Sequence, residues 1–381
     1  MKIKGLKTFL AAVLPISWAP ISLLPLGIVV FSSMYAALHI RNISLIRPVV
    51  YFGVFTLAYV GCNVGASAFL GKDIDYFQVA RTIGPLLLGM VFFSVLITKR
   101  QDSSRVIANL HLLAIYAAIM LIIYFITGCL LLPNGLPIAG LDIVDEAVPG
   151  RLWIYPTFGI LLLYSVSLIE RKAFAGIFFL IILLTQSKAM IVALIVVTVI
   201  CLRGGFKNES SSRWKLALST VVVSLIASPF LTSIFGRFTE FAQVGDGWRL
   251  GEYVSAIEAL GSSLGRWAFG NGIGISYREV DWMVATQSNE RLIANMSYDI
   301  HSLYLDVIVK LGVVYLVAFF FFLRRLTVGL DNRIGRSIFA FVVITGFSSP
   351  SFFHSIDTVG FFVTLALIYP HYARQGGVHG H

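Results

Sequence analysis

Long apolar runs follow one another through the sequence, separated by short breaks that carry Lys, Arg, Gly or Pro. The runs that read as spans are 7–19, 21–38, 48–69, 82–98, 106–128, 152–169, 174–187, 189–202, 216–235, 303–323, 337–350 and 356–370. About 20 apolar residues cross a bilayer, and fewer suffice where a helix is broken or enclosed by others. No water reaches that depth, so each run must satisfy its own backbone hydrogen bonds, and a helix does so. The pattern predicts an all-α polytopic membrane protein with about 12 transmembrane helices, a single membrane domain over residues 1–381 with no compact soluble domain before, after or between the spans. The first two spans are short and interrupted by Pro15, Pro20 and Pro25. Their basic start imitates a signal peptide, but no small-x-small cleavage site follows, so they read as a retained hairpin.

Two polar stretches are long enough to form more than a turn. Residues 129–151 hold several Gly and Pro and the acidic pair Asp145 and Glu146. Residues 236–302, between the ninth and tenth spans, are the largest piece outside the spans. Within it, Arg249–Leu260 places Tyr253, Ile257 and Leu260 at helical spacing with Glu252 and Glu258 elsewhere on the wheel, which predicts an amphipathic helix at the membrane surface. Gly270-Asn271-Gly272-Ile273-Gly274 predicts a sharp turn with backbone angles that favour glycine. There is no repeat of fixed period and no low-complexity tract.

Charge orients the bundle. Only 13% of residues are charged against 57% hydrophobic, yet the net charge is +10. The Lys and Arg residues sit mostly in short breaks rather than in one stripe beside aromatics, which argues against a nucleic-acid partner. With the N-terminus inside, 19 of the 29 Lys and Arg residues fall on the cytoplasmic side, among them Arg47, Arg203, Arg324, Arg325, Arg333 and Arg336. Short outer loops keep only Lys72, Arg81 and Lys188, and the even number of spans returns the C-terminus to the cytoplasm. Residues 129–151 and 236–302 are then periplasmic loops of a bacterial inner-membrane protein.

Any chemistry on the outer face must come from those loops and the helix ends beside them. Arg249 and Arg266 lie in the large loop, Arg151 stands at the start of the sixth span, and Lys188 interrupts an apolar stretch, where charge is costly. Cations beside the bilayer suit a diphosphate carried on a lipid: Arg offers a fork for its oxygens and Lys a point charge. His301, in Asp299-Ile300-His301-Ser302 before the tenth span, could take a proton from a hydroxyl nucleophile near neutral pH. Plainer readings stand beside these. A lone loop Arg more often meets solvent or a headgroup, Lys188 can snorkel to the surface, and a His at a helix start is more often a cap. Cys62, Cys129 and Cys201 have no paired spacing, and the histidines have none that would suit a metal.

Three stretches together resemble the O-antigen ligase and polymerase superfamily, membrane enzymes that move glycans off undecaprenyl diphosphate. Leu184-Thr185-Gln186-Ser187-Lys188-Ala189 before an apolar span is similar to the family's Ser-Arg/Lys element. Arg249 through Gly270-Asn271-Gly272-Ile273-Gly274 is similar to its Arg…Gly-x-Gly-x-Gly stretch. His301-Ser302-Leu303-Tyr304-Leu305 with Gly312 is similar to its His-(Asn/Ser)-x-x-Leu…Gly element, and Arg151 with Pro156 resembles a further position. The likeness covers roughly residues 150–325. Lys188 stands where many members carry Arg, and Ser302 where Asn is common.

The resemblance implies a GT-C-like membrane glycosyltransferase without metal or other cofactor. Arg249, with Lys188, Arg151 or Arg266, would hold the donor diphosphate and stabilise the leaving group. His301 would orient or deprotonate the acceptor hydroxyl. The implied partners are an undecaprenyl-diphosphate-linked glycan donor, a glycan or lipid A core acceptor, membrane lipids and a chain-length regulator protein. A glycan acceptor would make the chain a surface-polysaccharide repeat-unit polymerase, a lipid A core acceptor an O-antigen ligase; Lys188 inclines the reading to polymerase. A transporter or flippase could share the span count, and would show charges buried mid-span and two halves of repeated topology. A scaffold role would leave the outer Arg and His residues free to change.

Overall fold

A computed structural model describes residues 43–97, 141–142, 153–154, 157–170, 172–184, 188–203, 247–279, 295–297, 300, 302–347 and 356–372. The expected spans 7–19, 21–38, 106–128 and 216–235 lie outside them. The described residues are mostly helical: α1 Ile43–Phe69, α2 Tyr76–Ile97, α3 Thr157–Glu170, α4 Lys172–Leu184, α5 Lys188–Arg203, α6 Gly247–Leu260, α7 Leu264–Phe269, α8 Leu303–Val328, α9 Asn332–Gly346 and α10 Ile356–Tyr372. Two short antiparallel pairs, β1 Leu141–Asp142 with β2 Trp153–Ile154 and β3 Tyr277–Glu279 with β4 Asn295–Ser297, decorate the two long loops and leave the helical class intact.

Three helices, α1, α2 and α8, contain stretches long and apolar enough to cross a membrane, and shorter apolar helices accompany them in α3, α4, α5 and α10. Every expected span within the described residues corresponds to a helix. α9, expected over 337–350, starts at Asn332, because Asp331 caps its first turn by accepting from the Arg333 N–H at 2.9 Å.

Burial explains the arrangement. α3 and α10 are apolar on every side, and from Ile160 to Leu168 and from Thr358 to Tyr369 nearly every residue is buried, so neighbours must enclose them. α10 packs on α2 and α3, and α3 also packs on α4, α5 and α9; α5 with α9, α9 with α8, α8 with α1 and α1 with α2 complete the wall. The wall keeps an apolar outer side, with Val50, Val54 and Leu57 exposed along α1 and Val317 and Phe321 along α8. Exposed apolar side chains in such rows suit a lipid surround.

Side-chain contacts fix the directions. Phe52 stacks on Phe322 at 4.3 Å between centroids, while the Tyr59 hydroxyl donates to the Leu311 carbonyl at 2.6 Å, so α1 and α8 are antiparallel. One end of the bundle gathers the start of α1, the ends of α3, α8 and α10 and the start of α9: the Asp331 N–H donates to the Tyr372 carbonyl at 2.8 Å, and the Tyr372 hydroxyl donates to Glu170 at 2.8 Å. The other end gathers the α1–α2 turn, α7, the start of α8 and the end of α9, where the Tyr304 hydroxyl donates to the Val343 carbonyl.

Candidate functional site

The α1–α2 end is built around a break in α8. Gly312 has φ 82° and ψ 171°, a conformation open to glycine alone, and it separates a segment 303–311 from the rest of the helix. A break strands the carbonyls of the turn before it, and at membrane depth these need other donors. Tyr59 supplies one, through its hydroxyl to Leu311. The Asn271 N–H supplies another, to Val309 at 2.6 Å. The break is thus capped by the glycine turn.

That turn adopts the predicted backbone: Gly270, Gly272 and Gly274 have φ of 85°, 125° and 78°. Tight docking requires it as much as the dihedrals do. A Cβ on Gly270 would come within 2.5 Å of the Lys310 carbonyl, and one on Gly312 would collide with the Ala268 carbonyl. α1 and the α1–α2 turn grip the other side. Asn63 donates to the Phe269 carbonyl and accepts from the Ile273 N–H, both at 3.0 Å. The Lys72 ammonium donates to the Asn271 carbonyl at 2.6 Å and to its side-chain oxygen at 3.3 Å. The Asp75 N–H donates to the Gly274 carbonyl at 2.9 Å.

A buried ion pair stands beneath. Lys310 lies 2.8 Å from Asp306, one helical turn earlier, and the two side chains are 5% and 0% exposed. Asp306 also accepts from the Ile300 N–H at 3.1 Å, fixing the backbone just ahead of His301. Single buried charges are expensive, whereas a paired, hydrogen-bonded carboxylate is tolerated.

α6 packs against the start of α8, its Ala256 and Leu260 forming a small core with Ile300 and Val309. The expected apolar row of Tyr253, Ile257 and Leu260 is divided between surface and core. Ile257 is 53% exposed, whereas Glu252, Ser255 and Ala256 are buried with Leu260. Small residues at 255 and 256 permit close approach to α8, so fit to the neighbouring backbone outweighs side-chain hydropathy.

The expected site residues fare as follows. Arg249 is in the first turn of α6, three positions before the buried Glu252. Lys188 is the first residue of α5; because Cys201 meets Ser337 at 3.4 Å near the other ends of α5 and α9, Lys188 belongs to the same bundle end as the start of α8. Arg266, in α7, is exposed and donates to the Ala259 carbonyl at 3.4 Å. Arg151 and His301 lie outside the described residues, as does Asp299. The structure therefore brings together the elements bearing Arg249, Arg266 and the glycine turn, against Ile300 and Ser302 on either side of His301.

Sequence reasoning missed three groups. Asp306 is tied to the backbone ahead of His301, and its i,i+4 spacing from Lys310 inside an apolar run was the available signal. Glu252 is buried one turn from Arg249. Lys72, counted only as a loop charge, is the side chain that holds Asn271. Among the described residues no group of three His, Cys, Asp or Glu side chains could hold a metal ion. No family model, curated protein or solved structure matches this chain significantly.

Proposed function

We propose that this chain is a bacterial inner-membrane glycosyltransferase, of about 12 spans and GT-C-like architecture, that transfers a glycan from undecaprenyl diphosphate to a sugar hydroxyl. The observation that carries the reading is convergence: α6, the glycine turn and the start of α8, three elements far apart in sequence, meet at one bundle end. The charge distribution supports its orientation. Arg47, Arg324, Arg325, Arg333 and Arg336 crowd the opposite end, which the positive-inside tendency assigns to the cytoplasm together with both termini.

In this mechanism the acceptor oxygen attacks the anomeric carbon of the donor. The new C–O bond forms as the bond from that carbon to the diphosphate oxygen breaks. The acceptor's proton passes to His301, and the leaving diphosphate carries its negative charge towards Arg249, with Lys188, Arg151 and Arg266 as further cations. Preorganised cations at the place where charge develops lower the barrier directly. Repeat-unit polymerisation is the preferred form of the reaction, with another lipid-linked glycan as acceptor and a chain-length regulator as partner.

One observation favours a second reading. Asp306 and Lys310 are buried in the first turns of the apolar α8 beside its break, and buried intramembrane charges at a broken helix are a feature of transporters and flippases. Against it, the two charges are spent on each other and on the Ile300 backbone. A surface-glycan gel of a deletion strain separates the cases. Core capped by a single repeat means a lost polymerase; naked core with polymer retained on its lipid carrier means a lost ligase. An unchanged glycan ladder would sink the glycosyltransferase reading and favour transport.

A further inference from the structure

The break-capping turn brings a cation the proposed chemistry does not use, Lys72, to the turn that follows Arg266. Lys72 and Arg266 flank the same turn, Lys72 donating to Asn271 and the Arg266 carbonyl accepting from the Gly270 N–H, and among the described residues no carboxylate forms an ion pair with either. Burial holds the Lys72 ammonium below the usual lysine range, and the Arg266 guanidinium pushes it the same way. Two of the three ammonium donors go to Asn271. Like charges that flank one turn are stabilised when an anion joins them.

The surroundings of this pair are apolar and uncovered. At the α1–α2 turn Phe69 is 91% exposed and Phe77 74%, with Leu70 and Tyr76 close behind; on α7 Leu264 is 85% exposed and Phe269 is exposed as well. These residues continue the outward apolar row of α1 to its end, which is where a bilayer meets water. Aromatic side chains there are ordinary interfacial anchors. Anchors alone, however, have no need of two cations on one turn. Charge and hydropathy together match an amphiphile with a compact, multiply charged anionic head.

We propose that the α1–α2 turn and α7 form a docking site for a lipid diphosphate, its head held between Lys72 and Arg266 and its chain laid against Phe69, Leu70, Tyr76, Phe77, Leu264 and Phe269. Such a lipid reaches the site laterally from the membrane, without its chain crossing water. The Lys72–Asn271 contact then links an occupied headgroup to the turn that caps α8 and, through Val309, to the Asp306–Ile300 contact ahead of His301. The inference builds on the glycosyltransferase reading by giving its donor a landing place, but binding can be measured without turnover.

The test uses the full chain in phosphatidylcholine nanodiscs and a benzophenone-bearing farnesyl diphosphate. Crosslinks are expected on peptides spanning Phe69–Phe77 and Leu264–Phe269. Lys72→Gln with Arg266→Gln should cut labelling about tenfold or more, as expected for the loss of two charge-assisted phosphate contacts. The charge-conserving exchange Lys72→Arg with Arg266→Lys should retain most of it, which guards against a variant that merely misfolds. Labelling that survives the double Gln change, or that the farnesol analogue reproduces, would overturn the proposal. So would equal displacement by inorganic pyrophosphate, which would leave the apolar surround without a role, or by phosphatidylglycerol at matched concentration, which would leave the diphosphate without one. Should labelling follow these expectations while glycan transfer is absent in the wild type, the docking site stands and the reaction class falls; normal transfer with unaffected labelling has the reverse meaning.

Discussion

The two ends of this helix bundle solve the same problem in opposite ways. At the Glu170 end the chain closes on itself: Glu170 accepts from Tyr372 and lies 3.5 Å from His371, while Asp331 caps α9 and meets Arg333. Acids there are matched by donors, and the helices keep regular geometry into their caps. At the Gly270 end α8 is broken, its freed carbonyls are served by a glycine turn and a tyrosine, and among the described residues Lys72 and Arg266 form no ion pair with an acid. Backbone strain, which among the described residues gathers at the Gly270 end, marks the end where something must bind.

The most severe way to break that asymmetry is at the break itself. Gly312→Ala forces a side chain into a glycine-only conformation and against the Ala268 carbonyl. Backbone strain and overpacking together should cost about 2–6 kcal/mol, and thermal unfolding in detergent should show it. A wild-type melting temperature would mean that α7 does not dock as described. The buried pair comes next. Lys310→Met leaves Asp306 charged and alone, at about 3–5 kcal/mol, while Asp306→Leu combined with Lys310→Met should recover much of the loss. Additive losses in the double variant would show that the two side chains do not act as a pair.

Function should map to one end as well. Arg249→Ala is expected to lower glycan transfer at least about tenfold with folding intact, since losing one partner of a desolvated charge contact costs about 2–5 kcal/mol. His301→Ala should keep donor binding and lose transfer. Arg336→Ala, exposed at the opposite end, should leave transfer unchanged. Transfer assayed with membranes of each variant checks all three, and wild-type activity in Arg249→Ala would remove that residue from the mechanism.

Much of the helical order was legible because lipid-facing and enclosed helices are both apolar, and runs of that length have no other use. The face of α6 was not. Tyr253, Ile257 and Leu260 stand out on a wheel as its apolar row, but Ser255 and Ala256 are what let it approach α8, and closeness of backbones leaves little trace in hydropathy. The glycine turn was legible from composition; that it caps a break at Gly312 was not, because Val309 and Asn271 are joined only by the fold. Lys72 was hidden for the same reason. A lysine in a short loop looks like any other until its partner, 199 positions away, is known.

The smallest contrast is also the sharpest control. Asn63→Ala removes two hydrogen bonds at the Gly270 end, to Phe269 and from Ile273, and should cost about 1–2 kcal/mol because water can partly replace them. Tyr372→Phe removes one at the Glu170 end; its ring remains packed, Glu170 stays within reach of solvent, and the loss should be about 1 kcal/mol or less. Neither change should unfold the protein, so differences in activity can be read directly. Asn63→Ala loosens the turn that carries Asn271 and should depress transfer well beyond its effect on melting temperature. Tyr372→Phe should depress neither by much. If both variants lost transfer equally, the regular end would be as much a part of the site as the broken one, and the distinction between them would carry no functional meaning.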